Sequence, residues 1–348
     1  MKACALTAPR KLSIIEQPEP AIREPHEVLL RIESVGVCGS DIHYYVEGRI
    51  GSQVVEYPYL VGHECSATVL ETGSAVRRVR PGDRVAVEPA IHCGACDQCL
   101  AGRPHTCRKL RFLGCPGQID GCLCERIVMP EACCYPMAPQ TAFDQAALAE
   151  PLSIGVYAAR RARLRPDLQV GVLGAGPIGL CTMLAAKAEG VSSFVVTEPI
   201  PERREHAMRA GASWAGNPYE TDVIEAVSAD VPALLDVVFE CSGKQEAFDD
   251  GVRLLKPGGM FVLIGIPSVD RIHFSMDLLR RHELTLQNVR RQNGCMQTAL
   301  DLVEAGKIDI GILQTHIFPF EKTGEAFDLV AAYRDGVMKA MIHVGPDA

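Results

Sequence analysis

The sequence lacks a basic excess. It carries 35 Lys and Arg against 43 Asp and Glu, a net charge of −8. A nucleic-acid binder needs a basic face to neutralise phosphates, so that class is excluded. The one basic stretch, Arg103 to Arg111, is too short to supply such a face. Long apolar runs are also missing. The opening MKACALTAPRKLSIIEQPEP has no apolar stretch of the ~7–15 residues that a secretory signal needs. The longest weakly polar run, Val170 to Ala186, contains four glycines and a proline and falls short of the ~18 residues of a membrane span. A cytoplasmic chain with no membrane partner is the expectation. Internal repeats and low-complexity linkers are absent too. At 47% apolar and 22% charged, the composition is globular rather than disordered.

Cysteine is plentiful: 15 residues, an odd count, beside 10 histidines. Thiols stay reduced in the cytoplasm, which makes metal ligation a better account of them than disulfides. At ~100–200 residues per domain, 348 residues suggest two domains. Texture divides the chain accordingly. The first 150 residues are β-rich, with β-branched clusters such as 27–39 and 81–90 set between Gly and Pro. From about 152, strand-like runs (169–173, 194–199, 236–243, 259–267) alternate with helical patterns, as in parallel βαβ units. After about 290 the texture is mixed again, with a helix near 297–306.

Gly174-Ala175-Gly176-Pro177-Ile178-Gly179 reads G-x-G-x-x-G between a strand and a helix. The first glycine permits the turn, the second lets backbone approach a pyrophosphate, and the third packs helix on strand. Free N–H groups at the helix start face the anion. Glu198, closing the next strand, stands where an acid binds the ribose diol. A carboxylate repels a 2′-phosphate, which favours NAD over NADP.

Cys93, Cys96, Cys99 and Cys107 form a dense cluster. Four thiolates complete a tetrahedral, closed Zn2+ site, structural rather than catalytic. An iron–sulfur cluster is the alternative, but seven residues separate the fourth cysteine from the third and the flanks are polar. Cys38, His63 and Glu150 are donors of another kind. Three such ligands leave a coordination position open, as catalytic zinc requires, but spacing alone does not bring them together.

Taken in order, Cys38, Gly62-His63-Glu64, the cysteine lobe, Glu150-Pro151 and Gly174–Gly179 resemble the zinc-dependent medium-chain dehydrogenase/reductase superfamily over essentially the whole chain. The strings from Gly36 to Tyr44, Gly48-Arg49-Ile50-Gly51 and Glu150-Pro151-Leu152-Ser153 resemble its polyol branch, typified by sorbitol (L-iditol) and xylitol dehydrogenases. The resemblance implies an α/β chain: a GroES-like β-rich catalytic domain (1–151 and 291–348, structural zinc lobe about 90–110) and a doubly wound parallel-sheet Rossmann domain (152–290). The active site is then expected in the cleft between them. It also implies two zinc ions, NAD, a polyol substrate and a homotetramer.

By the same resemblance, Cys38, His63, Glu64 and Glu150 surround the catalytic zinc, and Asp41 hydrogen-bonds the ligating histidine. Ser40 accepts the alcohol proton, which leaves through water, Glu150 or a route involving His43. Tyr44 and Arg291 grip neighbouring hydroxyls. Arg203, Cys241, Gly265, Ile266, Val289 and Arg290 join the glycine loop around the cofactor. Hydride passes from the substrate carbon to nicotinamide, giving a ketone.

Two departures stand out. The family usually has glycine where this chain has Ala67. Sorbitol dehydrogenases usually read Phe-Arg-Tyr where this chain reads Arg290-Arg291-Gln292. That shifts the expectation from sorbitol itself toward another polyol, with an aldonate as a further option if Arg290 meets a carboxylate. L-Threonine or a simple alcohol is the rival within the superfamily. A non-catalytic zinc and nucleotide sensor is the rival outside enzymes.

Overall fold

The computed structural model describes all 348 residues. The chain divides into two compact units. One comprises Met1–Glu150, Ala299–Ala305 and Leu313–Ala348; the other comprises Pro151–Thr298 and Gly306–Ile312. The texture of the sequence suggested a return to the first unit near 291, whereas the second unit extends to Thr298. Its contacts hold the extra segment: Arg160 donates to Cys295 Sγ at 3.2 Å and to Thr298 Oγ1 at 2.9 Å.

The first unit is built on a seven-stranded sheet. Its path runs Cys134–Pro136, Arg84–Val87, Glu64–Thr72, Glu27–Gly36, Lys339–His343 and Gln314–Pro319, with Arg126–Pro130 also paired to Glu27–Gly36. Period-two burial along Glu27–Gly36 puts Val28, Leu30 and Ile32 into the core with Val69, Met129 and Phe327. The register sets Gly36 opposite both Glu64 and Met341. One strand therefore ends and another begins at one place on the sheet, beside the middle of Lys339–His343.

The second unit has six parallel strands in the order Trp214–Gly216, Ser193–Thr197, Gln169–Leu173, Leu235–Glu240, Leu255–Leu263 and Thr285–Asn288. In chain order within the unit these are third, second, first, fourth, fifth and sixth. This is the doubly wound order, in which ligands meet the carboxyl ends of the strands where first and fourth lie side by side. Helix Pro177–Ala188 begins there, with Gly176 as N-cap and Pro177 in its first turn, the position where a missing N–H costs least. No helix is long and apolar enough to cross a membrane.

Candidate metal centres and dinucleotide site

The convergence of strand ends assembles a donor set. Cys38 follows Glu27–Gly36 and caps helix Gly39–Glu47, while Glu64 opens its own strand and His63 precedes it. Ligand atoms of Cys38, His63 and Glu64 lie within 4.8 Å of one another. Gly36 makes room for this, since a Cβ there would collide with Glu64 Oε2. Glu150 stands outside that set, buried close by. Burial pushes its carboxyl up to about 8, opposed by His63 and reinforced by Glu64 and Glu88.

Asp41 organises the two loops. It is fully buried, and its Oδ2 accepts from the Cys38 N–H and its Oδ1 from the Gly62 N–H, each at 3.2 Å. Oδ1 also lies 3.4 Å from His63 Nδ1. Burial works to lower the His63 pKa, yet the charges of Asp41 and Cys38 outweigh it and hold the imidazole well above its ordinary value. With Nδ1 turned to Asp41, Nε2 is the ring nitrogen left for a metal. Ser40 Oγ donates to Cys38 Sγ at 3.4 Å. His43 Nδ1 is 3.6 Å from Glu47. Tyr44 is buried, its hydroxyl donating to Gln53 Oε1 at 3.3 Å and its ring edge-on to Tyr59.

Sequence reasoning missed Lys339. This lysine is 1% exposed and donates to both Glu64 oxygens at 2.8 and 2.7 Å and to Val37 O at 3.2 Å. Its only signal in the sequence is a charge inside the apolar run Val337-Met338-Lys339-Ala340-Met341. Glu88, a buried acid near Glu150 and likewise unforeseen, accepts from the Ala90 N–H at 3.0 Å.

The cysteine lobe is a separate centre. Its four sulfurs lie within 4.8 Å of one another, with neighbouring pairs at 3.5, 3.6, 3.8 and 4.0 Å. A tetrahedral ion with Zn–S of ~2.3 Å sets sulfurs about 3.8 Å apart, so the donor geometry fits zinc. Backbone N–H groups of Cys93 and Lys109 point at Cys107 Sγ, each at 3.3 Å. The Arg108 N–H, followed by that of Cys99, lowers the Cys96 thiol to about 6. Desolvation, with Cys107 and Cys96, pushes the Cys99 thiol up to about 12. Arg108 closes the lobe by a two-pronged bond to Asp97 at 2.5 and 2.8 Å.

In the second unit, Gly174 and Ala175 follow the first strand, and Pro177, Ile178 and Gly179 form the first turn of the helix. Glu198 is buried; its Oε2 accepts from the Ala175 N–H at 2.9 Å and its Oε1 from the Ile200 N–H at 3.1 Å. The acid is therefore tied to the glycine loop itself. Arg203 Nη1 lies 3.5 Å from where a Cβ on Gly176 would stand. Cys241 donates its N–H to Leu173 O at 2.8 Å, and Val289 to Leu263 O at 2.9 Å, so both lie beside the strand ends. Gly265 and Ile266 follow the fifth strand. Arg290 is exposed, and Arg291 takes a left-handed φ of 54°, uncommon outside glycine. Gln292 Oε1 accepts from the Cys295 N–H at 2.7 Å, which commits this side chain to the local turn.

Comparison with known proteins agrees with this architecture. Residues 24–139 match the alcohol dehydrogenase GroES-like domain and residues 177–305 the zinc-binding dehydrogenase family. The chain is 33% identical to the sorbitol dehydrogenase of Bacillus subtilis, over 99% of this chain and 97% of that one. A solved Escherichia coli structure, described as a short chain alcohol dehydrogenase complexed with NADH, superposes with TM-score 0.91 at 28% identity, covering 99% of both chains. L-Idonate 5-dehydrogenase from Escherichia coli superposes with TM-score 0.90 at 25% identity, covering 99% of this chain and 98% of that one. The chain belongs to the zinc-dependent medium-chain dehydrogenase/reductase superfamily, in its polyol dehydrogenase branch. It is an oxidoreductase acting on CH–OH donors with zinc and a nicotinamide cofactor.

Proposed function

We propose that the protein oxidises a secondary hydroxyl of a sugar alcohol to a ketose, with reversible hydride transfer to NAD, and holds two zinc ions per chain. The observation that carries this reading is the donor set of Cys38, His63 and Glu64 beside a buried Glu150. Three donors leave room for a substrate hydroxyl, and the carboxylates suit a polar substrate. Zinc bound there supplies Lewis-acid activation, lowering the hydroxyl pKa toward neutrality.

The chain's own residues do the rest. Asp41 fixes the His63 ring through Nδ1. Ser40 takes the hydroxyl proton. Glu150, buried beside the donor set, offers one route for that proton, and His43 offers a second. Tyr44 and Arg291 orient the neighbouring hydroxyls. The second zinc, on Cys93, Cys96, Cys99 and Cys107, is structural. The negative charge of Glu198 at the glycine loop favours NAD over NADP. We place the protein in the cytoplasm as a homotetramer.

A second reading is favoured by the exposed Arg290 and the likeness to L-idonate 5-dehydrogenase: a sugar-acid substrate whose carboxylate this cation meets.

One panel tests the substrate, the cofactor and the metal content. NAD and NADP reduction is followed with sorbitol, xylitol, aldonates, L-threonine and primary alcohols, alongside zinc content. Turnover of polyols with NAD and two zinc ions per chain is expected. Cys38→Ser should retain one zinc and lose activity, and Asp41→Asn should lose about 10–100-fold. Turnover of L-threonine or primary alcohols alone overturns the substrate class. Activity with NADP alone overturns the role of Glu198.

A further inference from the structure

Glu240 is a buried carboxylate for which the reaction has so far found no use. It closes the fourth strand of the parallel sheet, and the register sets it beside Leu173 on one side and Leu263 on the other. Its neighbours are therefore the strand that feeds the glycine loop and the strand that feeds Gly265. The residue is 0% exposed. Oε1 accepts from the Ser242 N–H, the Ser242 hydroxyl and the Gly243 N–H, each at 2.7 Å. The backbone oxygen accepts from Ile264 at 2.9 Å and Gly265 at 3.0 Å. Oε2 is buried with no hydrogen-bond partner, facing Gly265 where a Cβ would collide with it. Across the turn, a Cβ on Gly174 would meet Ser242 at 3.0 Å.

A half-satisfied buried carboxylate is costly for stability. Burial raises its pKa despite the donors at Oε1. A glutamine would keep an oxygen for these donors without burying a charge, so the acid needs another reason. Charge-assisted bonds are roughly twice as strong as neutral ones, and here they fix the turn 241–243, which follows the fourth strand at the side of the first; the loop at 264–265 is held by the Glu240 backbone oxygen instead.

We propose that Glu240 is a positioning residue for the dinucleotide: its carboxylate fixes the turn 241–243 after the fourth strand, which lies against the glycine loop, presetting the backbone that meets the cofactor. This rests on the reading that these loops bind a nicotinamide dinucleotide. The brace acts before chemistry, so its removal should cost cofactor affinity rather than turnover at saturation.

The test is equilibrium NADH binding, together with thermal unfolding and the split of KM for NAD against kcat, for wild type, Glu240→Gln and Glu240→Ala. Glu240→Gln should unfold at or above the wild-type temperature, bind NADH about 5–10-fold more weakly, and change kcat less than twofold. Glu240→Ala should bind more weakly still. NADH affinity within twofold of wild type, with a lowered unfolding temperature, would make Glu240 a purely structural residue and overturn the proposal. If the glutamine variant does not fold, Ser242→Ala is measured the same way; it removes one donor from Oε1, and unchanged NADH affinity there also overturns the brace. Wild-type binding tests the cofactor reading separately. If wild type prefers NADPH, the NAD assignment falls, and the same comparison run with NADPH still decides the role of Glu240.

Discussion

Lys339 and Glu64 form a fully buried pair, each side chain 1% exposed, at 2.7 Å. Taking two charges out of water costs several kcal/mol per ion, and their attraction repays it only while both are present. Removing one partner leaves an uncompensated charge. Lys339→Met in zinc-stripped protein should therefore lose about 3–5 kcal/mol of stability in urea denaturation. The double variant Lys339→Met/Glu64→Gln, which leaves no charge behind, should recover most of that loss. Equal stability of Lys339→Met and wild type would mean that Glu64 is not charged in the fold. The pair also limits what spacing can reveal. Cys38, His63 and Glu64 are recognisable because short strings carry them. Lys339 meets Glu64 across 275 positions of chain, through the register of two strands on either side of Gly36, and no local pattern encodes that meeting.

Elements were legible where local chemistry is decisive. The strand–glycine–helix pattern from Gln169 to Ala188 and the strands closing at Thr197 and Glu240 all follow from apolar runs ended by turn residues. The return near 290 was blurred because strand Thr285–Asn288 is short and half-exposed at the sheet edge, so little in its composition separates it from loop. The cysteine lobe is the opposite case, strongly patterned but without a core. Its helix Asp97–Leu100 buries no residue, and Leu100 is 77% exposed. Apart from Arg108–Asp97 and a few hydrogen bonds, only sulfur geometry shapes it. The zinc proposed on its four sulfurs would supply the order that such a segment lacks on its own. Cys107→Ser should accelerate amide hydrogen exchange across 93–109 by about a hundredfold while leaving Glu27–Gly36 protected. Unchanged exchange in the lobe would show that it holds together without zinc.

At the scale of the whole chain, each unit has its own core. One centres on Leu30, Ile32, Val69 and Met129, the other on Leu173, Val238, Phe248 and Phe261. Separate cores permit separate unfolding transitions, and the zinc donors and the glycine loop fall in different units. The single tryptophan, Trp214, lies in the third strand of the parallel sheet, its ring over Gly216. Its fluorescence therefore reports the dinucleotide-binding unit alone. NAD at a hundred times its Kd adds about 2.7 kcal/mol to whatever unit binds it. For a unit of this size that moves the Trp214 transition up by roughly 5–10 °C. Stripping zinc removes ligand free energy only from the other unit, so the Trp214 transition should stay within about 2 °C of the untreated protein while the transition followed by far-UV circular dichroism broadens or splits. The two probes are recorded on one sample, with and without chelator and with and without NAD. If chelation carries the Trp214 signal down together with the dichroism, the units unfold as one cooperative body, and the separate cores do not act as separate sources of stability.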